Sequence, residues 1–212
     1  MAETTDSIAE PVRDLAALRR APIQRRSRER VERILSVASQ LIAEKGSDQL
    51  KMSDVAELAG ISIGSLYQYF PDKGAVIRTL AERYNAVNRD CIEKALSGVR
   101  NLEELCSAFS SLVDQYYEIF LAEPVMRDIW SGMQSDKQLA DIELKESRVL
   151  GDLLAETVDR IRCRPSDLCL ATFLIMHLGE ATMRLAICLD RPEGDAVVAA
   201  YKRMALREIS GW

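Results

Sequence analysis

Apolar residues in this chain recur at steps of three and four from Ser27 almost to the C-terminus, and no stretch alternates apolar with polar residues as a half-buried strand must. That pattern confines the chain to an all-α fold. Residues 27–45 carry Val31, Ile34, Leu35, Ala38, Leu41 and Ile42 on one stripe, with Gly46 as the stop. Two short helices are expected at 52–59 and 63–69, then a fourth after Asp72 with the stripe Val76, Ile77, Leu80, Tyr84, Val87 and Cys91. Asn101 and Glu104 pair as a capping box for a fifth helix. Pro124 resets the pattern, a long helix starts near Asp136, and Pro165 and Pro192 open two more, about nine helices in all. With 48% apolar and 29% charged residues over 212 positions, the chain has the balance of a folded helical globule.

Charge divides it. The formal net charge is −5, yet residues 19–51 hold nine Lys/Arg against four acids, so this stretch is about +5 and the remainder about −10. A basic head on an acidic body is the layout of a nucleic-acid reader with a second module. Residues 1–24 mix polar residues and prolines around a short apolar patch and are expected to form a mobile arm. The expected organisation is therefore an arm over 1–24, a reader over 25–74 and a body over 75–212.

Several functions lack their parts. Five cysteines lie far apart without a C-x-x-C pair, and the single histidine is His177, so neither a metal site nor a disulfide framework is indicated. There is no Gly-rich phosphate loop and no nucleophile elbow, so the chain reads as no enzyme and no cofactor is expected. Residues 1–24 have no apolar signal-peptide core, and the longest uncharged apolar run, 168–179, is too short to span a bilayer. The reading is cytoplasmic with no membrane partner.

Residues 52–73, M-S-D-V-A-E-L-A-G-I-S-I-G-S-L-Y-Q-Y-F-P-D-K, carry the most specific signal. In a helix-turn-helix the first short helix braces the second, whose N-terminal residues face base edges in the major groove. Val55, Ala56, Leu58, Ala59 and Ile61 are expected to pack inward, Gly60 to reverse the chain, and Leu66 with Phe70 to pin the second helix. Ile63, Gly64, Ser65, Tyr67, Gln68 and Tyr69 are left facing outward.

This run resembles the TetR family of bacterial regulators in Ala59-Gly60, Ser62, Gly64, Leu66-Tyr67, Tyr69-Phe70 and Lys73. It departs from the family pattern where Tyr69 replaces a frequent histidine and where Lys51 replaces the usual capping Thr or Ser. Ser53 is the substitute cap considered, with a shortened helix as the consequence, and the Lys51 ammonium is free to meet a phosphate. The resemblance implies a three-helix reader joined by helix four to an effector-binding and dimerising body. Its DNA contacts are expected from Arg25, Arg26, Arg28, Lys51, Ser53, Ser62, Ile63, Gly64, Ser65, Tyr67, Gln68, Tyr69 and Lys73. Gln68 suits an adenine edge, Ile63 a thymine methyl, and Lys73 a phosphate beside the start of helix four.

For the body, the aromatic and methionine-rich set Phe109, Val113, Tyr116, Tyr117, Phe120, Met126, Trp130 and Met133, with His177, is the expected lining for an apolar or amphipathic small-molecule effector. The last two helices, near 166–189 and 193–209, are expected to pair two copies through Phe173, Met176, Gly179, Met183, Tyr201 and Met204. A homodimer would read a pseudo-palindromic operator in double-stranded DNA, as a repressor that the effector releases. An architectural DNA-binding protein of the same fold, without an effector, is the alternative.

Overall fold

The computed structural model describes residues 10–131, 136–162 and 167–212. Among the described residues nine α-helices run α1 (Glu10–Lys45), α2 (Met52–Leu58), α3 (Ile63–Tyr69), α4 (Lys73–Ser97), α5 (Leu102–Ala122), α6 (Pro124–Ser131), α7 (Lys137–Ile161), α8 (Leu168–Ala186) and α9 (Arg191–Gly211), with a 3-10 turn at Ser47–Gln49. No strand occurs among the described residues.

Short polar side chains set most of the starts. Ser62, Asp72, Asn101, Asp136 and Asp190 each accept a hydrogen bond from a backbone N–H of the first turn they precede, which satisfies donors that no helical carbonyl can reach. The Glu104 carboxylate reaches back to the Arg100 N–H, completing a capping arrangement around Asn101. Helix α1 differs from expectation, starting at Glu10 instead of near Ser27. Residues 13–21 are mostly Arg, Leu and Ala, all good helix formers, and Pro11 falls in the first turn, where its missing N–H costs nothing. Residues 1–9 of the expected arm, Met133 and Pro165 lie outside the described residues.

Buried Ile34, Leu35, Ala38 and Ile42 of α1 meet Val55 and Ala56 of α2, Ala59 at its C-terminal cap, and Leu66 and Phe70 beyond it, making the core of the head. Leu58 was expected inside but is 60% exposed. At 100° per residue it lies roughly 100° around α2 from the centre of the Val55–Ala56–Ala59 face. In the same way Val87 and Cys91 of α4 face outward while Asn85, Ile92 and Leu96 are buried.

In the body, α4 packs on α5 and α7, α7 on α8, and α9 on both α8 and α5. The α7–α8 crossing is close because Gly151 has no side chain, and a Cβ there would stand 2.8 Å from the Cα of Phe173. Helix α8 as a whole is long and apolar enough to cross a membrane, but it carries Glu180 and Arg184 and packs between α7 and α9.

Helix α6 joins head to body. It touches α1, α4 and α5, and the Asp128 carboxylate accepts a hydrogen bond from the Ser47 N–H at 2.9 Å. Its buried Trp130 stands edge-to-face against Tyr84 of α4 and Phe120 of α5.

Candidate nucleic-acid interface and body cavity

The turn between α2 and α3 is a Schellman arrangement. The Ile61 N–H donates to the Ala56 carbonyl and the Gly60 N–H to the Glu57 carbonyl, which requires Gly60 at φ 66°. The chain then re-enters a helix at Ser62, whose hydroxyl oxygen accepts from the Ser65 N–H at 3.1 Å. On α3, Leu66 is fully buried, as nearly is Phe70 at its C-terminal cap, while Ile63, Gly64, Tyr67 and Gln68 are exposed. Those four fall within an arc of about 140°. They form one open face, and nothing lies within 4 Å of where a Gly64 Cβ would stand, so a DNA backbone can approach there closely.

Not every expected contact residue joins that face. Tyr69 is half-buried against the core, on the opposite side of α3, and Ser65 is half-buried. Ser53 does not cap α2: the helix begins at Met52 with Lys51 in the cap position, no side chain capping it, and the Ser53 hydroxyl donates to Asp54 instead. A Ser one residue inside the helix cannot reach back to the N–H groups a cap must satisfy. Lys51 is exposed, as are Arg25, Arg26 and Arg28 on α1, where Arg25 pairs with Glu29 at 3.3 Å. The Lys73 ammonium is already engaged, donating to the Asp48 carbonyl at 3.0 Å, while Asp72 occupies the Ala75 N–H of the same helix end at 2.6 Å. Both sit at the surface, so DNA would compete with these partners.

Between the helices of the body lies a partly open cavity of about 60 Å³. Asn88, Ile92 and Leu96 of α4, Phe109, Val113 and Tyr116 of α5, Leu150 and Leu154 of α7, Met176, Glu180 and Met183 of α8, and Tyr201 of α9 line it. The wall is mostly apolar, with Asn88, the Tyr116 and Tyr201 hydroxyls and Glu180 as its polar groups. Glu180, 8% exposed, accepts from the Tyr116 hydroxyl at 3.0 Å on both carboxylate oxygens. Burial raises its pKa to about 7, and Glu143 and Glu146 push it in the same direction while the Tyr116 hydrogen bond and Arg184 oppose them. Burial and the facing carboxylate hold the Tyr116 phenol well above its ordinary range.

Comparison with known proteins follows this geometry in both halves. Residues 34–80 match the family model of bacterial regulatory proteins of the tetR family, and residues 103–210 match a tetracyclin repressor-like C-terminal domain. The chain belongs to the TetR family. The model matched by its head describes that family as bacterial regulatory proteins. A curated relative, the uncharacterized regulator YvdT of Bacillus subtilis, is 33% identical over 112 residues, which is 51% of this chain and 55% of that protein. The chain thus spans about half the length of that relative. Two solved structures share the fold: the fatty acid degradation regulator FadR of Bacillus halodurans (24% identity, 82% of this chain and 97% of that one, TM-score 0.63), and FadR of Bacillus subtilis in complex with stearoyl-CoA (18% identity, 84% and 96%, TM-score 0.61).

Among TetR features expected of the body, Phe109, Val113 and Tyr116 are brought together at the cavity. Tyr117, Phe120, Met126 and Trp130 are not. Tyr117 lies against α9 under Arg191, while Phe120, Met126 and Trp130 are buried in the adjoining core between α4, α5 and α6. His177 stacks on Phe173 and faces Ser147, with Nδ1 3.1 Å from the hydroxyl. Four expected interface residues point inward: Met176, Gly179, Met183 and Tyr201 line the cavity, and the Tyr201 hydroxyl donates to the Ile175 carbonyl at 2.7 Å. Phe173 is half-buried beneath Arg148. Only Met204, 67% exposed, faces out, beside Leu170, Leu174 and Leu178 of α8. Sequence reasoning missed Glu180 as a cavity residue. Its signal was an acid within an otherwise apolar helix.

Proposed function

We propose that the protein is a homodimeric repressor that leaves its operator when a small molecule occupies the body cavity. The observation that carries this reading is the position of α4. Its first turn abuts the reader at Lys73 and its last turns form a cavity wall through Asn88, Ile92 and Leu96. The helix spans about 37 Å at 1.5 Å per residue, so whatever displaces one end displaces the other. At about 60 Å³ the cavity is smaller than the ~150 Å³ void that accepts benzene, so any aromatic or larger ligand must push its walls apart. The B. subtilis FadR complex with stearoyl-CoA supports ligand binding within this fold.

Dimerisation is assigned to the exposed strip Leu170, Leu174 and Leu178 of α8 with Met204 of α9. Spacings of four keep the three leucines on one side of the helix, and contiguous exposed apolar surface is costly unless covered. A two-fold pair would present the Ile63–Gly64–Tyr67–Gln68 faces about 34 Å apart, matching successive major grooves of a pseudo-palindrome. Footprinting of the purified protein on DNA flanking its own gene tests the reading, followed by titration of the protected complex with compound panels. A two-fold protected site whose occupancy falls with a ligand supports it; a site that no cavity ligand releases contradicts it.

A further inference from the structure

Resting on the effector reading above, the cavity also limits what chemistry the effector can have. Three carboxylates on neighbouring turns of α7 and α8, Glu143, Glu146 and Glu180, are each 8% exposed, and burial of a charge is expensive unless it is paired. Two of them are paired: Arg184 donates to Glu143, and Arg89 of α4 grips Glu146 through two hydrogen bonds. Glu180 makes no ion pair among the described residues, since Arg184, the cation that acts on it, is bonded to Glu143. The two Glu180 oxygens share one donor, the Tyr116 hydroxyl, although a carboxylate offers about four acceptor sites. Once Glu180 is ionised the cluster is one positive charge short, and the unfilled acceptor capacity belongs to a residue that lines the cavity. Neighbouring groups do not make up the difference: Asn88 shares the cavity but makes no hydrogen bond to Glu180, His177 is turned to Ser147, and Tyr201 donates its proton to Ile175. Around that carboxylate the wall is made of Phe109, Leu112, Leu154, Met176 and Met183.

We propose that the cavity takes a small amphiphile with a single protonated nitrogen, its apolar body held among Phe109, Leu154, Met176 and Met183 and its ammonium paired with Glu180. An ammonium supplies the missing charge and the missing donors together. A carboxylate or phosphate head would instead face three acids at close range, and a neutral hydroxyl would add one donor and no charge.

Thermal unfolding of the full chain with benzylamine, benzyl alcohol or benzoate tests this, reading affinity from the ligand-dependent rise in Tm. Benzylamine is expected to bind about ten- to a hundredfold more tightly than benzyl alcohol at neutral pH, with benzoate weakest. Glu180→Gln should abolish the amine's advantage while benzyl alcohol binds as before, which also shows the cavity intact. The wild type gives a second readout that needs no variant. Amine affinity should rise between about pH 6 and pH 8 as Glu180 ionises among Tyr116, Glu143, Glu146, Arg89 and Arg184, while alcohol affinity stays flat. Alcohol binding as tightly as the amine, or a flat amine profile, would overturn the proposal and leave the effector reading standing. If none of the three stabilises either the wild type or Leu154→Ala, in which the cavity is larger, the cavity is no ligand site and both readings fall.

Discussion

Glu180→Gln should change how stability depends on pH, by an amount and in a direction the structure sets. The Glu180 pKa is raised from 4.5 to about 7, chiefly because the carboxylate is buried. Between those values the native state holds a proton that the unfolded chain has already released. Stability attributable to this group is therefore complete below about pH 4.5 and is lost as pH rises to about 7. At about 1.4 kcal/mol per pH unit the loss is about 3 kcal/mol. Glutamine keeps an acceptor for the Tyr116 hydroxyl and has no proton to lose. Urea unfolding of both proteins at about pH 5 and about pH 8, at one fixed protein concentration, isolates the effect, because every other titrating group is common to the pair. The variant should match the wild type near pH 5 and exceed it by a few kcal/mol near pH 8. A difference that does not grow with pH would refute the assignment of an uncompensated buried carboxylate.

Gly60→Ala forces a Cβ onto a residue at φ 66° with no steric neighbour, so the cost is backbone strain alone, about 1–2 kcal/mol; a head whose midpoint in urea is unchanged would show that the turn relaxes freely. Gln68→Ala should cost about 1–3 kcal/mol on operator and little on random DNA, whereas Lys73→Ala should weaken both alike; equal losses for Gln68→Ala on the two DNAs would remove it as a base reader. Leu174→Glu places a charge in the exposed α8 strip and should yield monomers at micromolar concentration by analytical ultracentrifugation, and persistence of the dimer would move the interface elsewhere.

What the sequence revealed and what it hid divide along one physical line. The reader was legible because its signals are local: Gly60 in a left-handed turn, Ser62 as a cap and Leu66–Phe70 at helical spacing act within a few residues of themselves. Helix α3 came out at its expected bounds for that reason. The body was legible as helices but not as surfaces. Helix α8 is apolar nearly all round, so periodicity could not say whether Met176 and Met183 or Leu170 and Leu174 faced solvent, and the partition follows instead from how α7 and α9 close over it. Phe120 and Trp130 show the same limit, since aromatic residues at helical spacing serve a core and a cavity equally well. The start of α1 was hidden because the few apolar residues at helical steps there, Val12, Leu15 and Leu18, lie among charged residues and beside Pro11 and Pro22, which read as breaks.

Cavity occupancy and operator binding should oppose each other through α4. The most direct test is the operator affinity of the full chain at saturating concentrations of a ligand that raises its Tm, beside the same measurement on Val113→Phe, whose larger side chain fills the cavity. Coupling of this kind is typically 1–3 kcal/mol, so the ligand should weaken wild-type operator binding roughly 5- to 150-fold, operator should weaken ligand binding by the same factor, and Val113→Phe should respond to neither. A ligand that binds the wild-type cavity tightly and leaves operator affinity unchanged would contradict the account.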